Sequence, residues 1–186
     1  MKKVKMNSYS PLYAGIFFFS LSVLLFELSL TRAFFILQWN FLAFMIISIA
    51  FLGYGASDTF LSVFSGILKR TSGNNLFKYL VLFSMLFSLS SLLSVFLISK
   101  IPFDLYRIMI DRQQLTYLIA YYLAIALPFF FAGICISLAI SRLSLKVNKI
   151  YFCDLTGASF GCIAFLILAD FISLNQLLFY LLFFPF

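Results

Sequence analysis

Apolar residues fall in long runs, and the polar and charged positions gather into short gaps between them. About 20 apolar residues at 1.5 Å rise cross the hydrocarbon core of a bilayer as a helix. By that measure Tyr13 to Thr31 is a first span, Phe34 to Phe64 a second, Leu76 to Ser99 a third, Leu115 to Ile140 a fourth and Ile150 to Ala169 a fifth. Phe171 to Phe186 begins a sixth, but its 16 residues reach only about 24 Å, short of a core about 30 Å thick. Lys69 to Asn75 is a break rich in turn formers. Lys100 to Gln114 is amphipathic and mixed in charge, and reads as an interfacial loop or short helix. Gly53 and Gly55 interrupt the second span, and Pro128 sits in the middle of the fourth as an expected kink. The predicted fold is an all-α integral membrane protein, one polytopic bundle of five to six transmembrane helices over residues 1–186.

Composition agrees: 64% of residues are hydrophobic, 10% are charged, and Phe alone occurs 27 times. A soluble domain of this size needs far more polar surface. Histidine is absent, which excludes imidazole catalysis and His-based metal sites. Cys135, Cys153 and Cys162 lie in or against apolar runs without a C-x-x-C pair, and read as small buried hydrophobes. No dinucleotide, phosphate-loop or metalloprotease motif occurs, so no catalytic residue, metal or cofactor is assigned.

A net charge of +7 raises the question of a nucleic-acid partner, but the cations sit in short clusters between spans, so none is expected. Their distribution sets an orientation instead. Lys2, Lys3, Lys5, Lys69, Arg70, Lys78, Arg142, Lys146 and Lys149 fall on the N-terminal side. Arg32, Lys100, Arg107 and Arg112 fall on the other, nine against four. That places the N-terminus in the cytoplasm, and the C-terminus too if the sixth helix crosses. The basic start followed by an apolar run lacks an A-x-A-like cleavage site, so it reads as an uncleaved first helix.

Three acids fall inside the runs. Glu27 shares a helical face with Thr31 and adjoins Arg32. A carboxylate in hydrocarbon costs several kcal/mol unless paired or wet, so Glu27 reads either as a structural group neutralised by Arg32 or an interfacial water, or as a contact for substrate or proton. Asp58 follows Gly53-Tyr54-Gly55 near the cytoplasmic end of its span, where it can also simply reach water. Asp154, Gly157 and Gly161 line one face of the fifth span, in a small-xxx-small pattern suited to close helix packing. Ser84, Ser88 and Ser91 are expected to bond back to their own helix carbonyls.

Two stretches together carry a resemblance. One is Leu25-Phe26-Glu27-Leu28-Ser29-Leu30-Thr31-Arg32, continuing through Trp39 to Gly53 and Gly55. The other joins Pro128-Phe129-Phe130-Phe131-Ala132-Gly133 to Tyr151-Phe152-Cys153-Asp154-Leu155-Thr156-Gly157-Ala158-Ser159-Phe160-Gly161. In their order and spacing they resemble the N-terminal membrane region of bacterial spermidine-synthase-like proteins. The signatures are E-x-x-x-T-R, P-F-F-x-x-G and Y-x-x-D-L-x-G-A-x-x-G.

The resemblance implies a multi-pass inner-membrane domain beside a cytoplasmic Rossmann-like transferase domain, which these 186 residues do not contain. A truncated, split or shortened relative is expected, with no aminopropyl transfer by this chain alone. Its expected partners are the bilayer and either that transferase domain or further copies of itself. Glu27, Arg32, Asp58 and Asp154 are the candidate contacts for a cationic, polyamine-like substrate. Gly53, Gly55, Gly157, Gly161 and Pro128 are the candidate packing positions. A small transporter-like subunit that moves a cationic or amphiphilic solute is the competing reading.

Overall fold

The computed structural model describes residues 10–38, 40–64, 75–100, 112–143 and 146–172. Its elements are all helical: α1 (Ser10–Gln38), α2 (Asn40–Val63), α3 (Asn75–Lys100), α4 (Arg112–Arg142) and α5 (Val147–Ile172). All five are long and apolar enough to cross a membrane. α1 outruns the first predicted span, so Phe34 belongs to it and α2 starts at Asn40. α4 takes in Arg112 to Gln114, part of the segment expected to be interfacial. Trp39, the 69–74 loop, residues 101–111 and the start of the sixth span beyond Ile172 lie outside the described residues.

Two buried clusters fix the direction of each helix. Leu12, Leu61, Leu76, Leu138 and Ile150 meet at one end. Phe34, Ile46 and Tyr121 meet toward the other, with Ile98 packed against them. Successive helices therefore run in opposite directions. α4 is the centre, packed along α2 and α3, while α1 packs along α5 and α2. Phe129 of α4 is fully buried, and its ring meets Phe26 of α1 at 5.9 Å and Tyr54 of α2 at 6.3 Å between centroids. Phe87 of α3 sits edge-on to Phe19 and Phe26 at 5.3 and 6.1 Å. Such pairs add about 0.5–1.5 kcal/mol each beyond area burial.

At the outer surface apolar side chains are left uncovered. Phe44 and Phe51 on α2 are more than 70% exposed, and Phe152, Leu166 and Ile167 on α5 are similarly bare. Apolar exposure on that scale fits a surface that faces lipid.

Because successive helices alternate in direction, α1 and α5 are parallel, and likewise α2 and α4. Both parallel pairs close on glycine. A Cβ on Gly157 would overlap the Phe17 carbonyl oxygen, and one on Gly161 would lie 2.9 Å from the Leu21 carbonyl oxygen. On the other pair, a Cβ on Gly53 would lie 2.7 Å from Cβ of Phe129, and one on Gly133 would overlap the Ser57 hydroxyl. Only a residue without a Cβ permits these backbones to approach so closely. Gly55 differs: it is exposed, nothing lies within 4 Å of a Cβ built there, and the expected packing contact is not made among the described residues. Pro128 is fully buried in the middle of α4, and the helix continues through it without a break.

Candidate functional site

Serine hydroxyls from neighbouring helices reach two of the three acids. Ser20 of α1 is buried and donates to the Asp154 carboxylate on α5. Ser137 of α4 donates to the Asp58 carboxylate on α2. Each bond spans one of the two glycine-closed parallel pairs, so the close backbone approach is what brings a short hydroxyl within reach. Both acids lie in the half of the bundle that ends in Lys78, Arg142, Lys146 and Lys149. Asp58 is six residues from the end of α2 and Asp154 eight residues into α5, counting inclusively.

Glu27 is half-buried on α1. Thr31 shares its face as the spacing requires, but the Thr31 hydroxyl donates to the Glu27 backbone carbonyl at 2.9 Å rather than to its carboxylate. Arg32 is also half-buried, and no ion pair between it and Glu27 is formed among the described residues. Of the two expected ways to neutralise Glu27, the pairing with Arg32 is not made among the described residues. Ser84 and Ser91 donate to the Val81 and Ser88 carbonyls at 2.9 and 2.8 Å, closing on their own helix.

Tyr54, between Gly53 and Gly55, packs at the α2–α4 seam: its ring lies 3.1 Å from a Cβ built on Gly133 and 6.3 Å from the Phe129 ring between centroids. Polar groups thus meet at two seams inside an apolar bundle: Ser20 of α1 with Asp154 of α5, and Ser137 of α4 with Asp58 of α2. The spacing pattern placed Asp154, Gly157 and Gly161 on one face, and that face is the one against α1. Ser20, Ser137 and Tyr54 were missed, because a lone Ser or Tyr in an apolar run carries no sign of which helix will face it.

Carboxylate, phenol and hydroxyl groups in this arrangement can accept hydrogen bonds from an ammonium group or exchange a proton with water. Among the described residues no three His, Cys, Asp or Glu side chains gather as a metal ion requires. No protein-family model, curated protein or solved structure matches the chain.

Proposed function

We propose that this chain is the multi-pass membrane domain of a spermidine-synthase-like protein. In this reading it lies in a bacterial inner membrane with its N-terminus in the cytoplasm. It holds a transferase domain or partner at the membrane surface and offers its carboxylates to a cationic, polyamine-like substrate. One observation carries the reading. The two stretches that bear the resemblance are far apart in sequence, yet they pack together in the core, where Phe26 and Gly53 of the first both meet Phe129 of the second. Two of the candidate acids, Asp154 and Asp58, are each held by a serine of the helix across a glycine-closed seam, which fixes a carboxylate at a set depth for a cation. Two unlike charges attract more strongly in a low-dielectric interior, so a desolvated carboxylate suits an ammonium ligand.

The test is binding of spermidine to the purified chain in lipid nanodiscs, measured by calorimetry. Saturable heat that Glu27→Gln abolishes while helicity is unchanged supports the substrate role. Equal binding by wild type and variant sinks it. Spermidine flux into proteoliposomes made with this chain alone would instead favour the transporter-like reading.

A further inference from the structure

Two outer faces of the bundle carry opposite charges at nearly the same depth and with the same helical spacing. On α2, Phe51 and Asp58 stand seven residues apart, so they share one face, and both are exposed. On α3, Lys78 and Met85 have the same separation and are exposed as well. Leu61 of α2 packs in one cluster with Leu76 and Leu80 of α3. Lys78 is therefore level with Leu61, and Asp58 lies about 5 Å deeper, a difference that a lysine stem can span. α2 and α3 run in opposite directions, so the step from Asp58 to Phe51 and the step from Lys78 to Met85 lead the same way along the bundle.

Neither charge is answered within one copy. Asp58 accepts the Ser137 hydroxyl, a neutral donor, and neither Asp58 nor Lys78 forms an ion pair among the described residues. α2 and α3 both pack along α4 rather than along each other, which leaves the two outer faces free for a neighbour. A carboxylate that faces hydrocarbon without a cation costs several kcal/mol. Beside Lys78 runs an open groove of about 400 Å³ whose other lining residues, Phe77, Val81, Leu82 and Met85, are all apolar.

We propose that a second copy of this chain covers these faces, α2 of one copy against α3 of the next. Asp58 then pairs with Lys78 of the second copy, and the Phe51 ring lies in the groove against Met85, a favourable contact between thioether and ring. Copies inserted the same way hold α2 and the neighbouring α3 antiparallel, which matches both pairs at once. The two faces differ, so the contact is head-to-tail, and copies join into a closed ring or an open row. The inference rests on the membrane reading above and goes beyond it. The cation at Asp58 is a resident ammonium, and Glu27 and Asp154 remain the carboxylates open to a soluble one.

The test is disulfide cross-linking in membranes, in the full chain with Cys135, Cys153 and Cys162 replaced by serine. Phe51→Cys combined with Met85→Cys is expected to give linked species of two or more copies on oxidation, and Phe51→Cys alone none. No linked species from the pair, linkage confined to one chain, or linkage by Phe51→Cys alone, which marks a symmetric contact, each overturns the proposal. Charge reversal is the second measurement, read by native mass spectrometry from mild detergent. Asp58→Lys and Lys78→Asp are each expected to lose the assemblies that the unaltered chain forms, and the two together to restore them. Restoration is a result that misfolding of a single variant cannot imitate, and its failure removes the ion pair. Carbonate extraction separates the two readings. Release of the chain from membranes removes the membrane reading and the contact together, whereas an inserted chain that stays single removes only the contact.

Discussion

At the scale of single residues, glycine and serine decide more than the acids do. Gly157 and Gly55 are the same residue type in similar apolar surroundings, yet a Cβ at Gly157 overlaps the Phe17 backbone and one at Gly55 meets open space. Backbone cannot rotate aside as a side chain can. Gly157→Ala is expected to destabilise the bundle by about 1–3 kcal/mol, the usual cost of overpacking, whereas Gly55→Ala should be neutral or gain about 1 kcal/mol from helix propensity. Unfolding by sodium dodecyl sulfate titration from mixed micelles measures both, and equal effects would contradict the seam. Ser20 and Asp154 make a second residue-scale case. A double-mutant cycle with Ser20→Ala and Asp154→Asn should show a coupling of about 0.6–1.7 kcal/mol, the range found for hydrogen bonds between membrane helices. A coupling of zero means that the hydroxyl and carboxylate satisfy themselves elsewhere once lipid surrounds them.

At the scale of helices, the run lengths made all five elements readable, and the Asp154-Gly157-Gly161 spacing marked one contact face. What could not be read was which helix lies against that face. In a soluble protein the apolar stripe of a helix points to the core, but here apolar residues cover both sides. Phe129 is fully buried and Phe44 is 72% exposed, and nothing in the local sequence separates them. Partner choice is set by close approach at small residues and by a few polar bonds, and both need the three-dimensional pairing. The ends were hidden for a related reason: Arg32 and the residues after it continue α1, since a charge near a helix end can extend to the interface without stopping the helix.

The pairing has its own consequence. α5 packs almost wholly on α1, so Gly157→Leu should loosen α5 while leaving the α2–α3–α4 body folded. Hydrogen exchange in nanodiscs would show this as lost protection confined to α5 and the facing turns of α1. Loss spread evenly over every helix would mean that the bundle opens as one unit.

At the scale of the whole molecule, alternating helix directions and uneven charge together make the proposed orientation testable. Lys78, Arg142, Lys146 and Lys149 lie at the end where α3 and α5 begin and α4 finishes. Arg32 and Arg112 lie at the end where α1 finishes and α4 begins. Cations near span ends tend to be retained on the cytoplasmic side of a membrane, so the proposed orientation puts the end with Lys78, Arg142, Lys146 and Lys149 in the cytoplasm. The orientation can be read without knowing any ligand. In a chain with Cys135, Cys153 and Cys162 replaced by serine, Lys149→Cys and Arg112→Cys should react from opposite sides with a membrane-impermeant maleimide. Lys149→Cys is expected to label only in inverted vesicles and Arg112→Cys only in intact cells. The reverse pattern would place the basic end outside the cytoplasm and remove the electrostatic basis for the orientation. Labelling of both positions from one side would contradict the odd number of crossings, and with it the five-helix arrangement in the membrane.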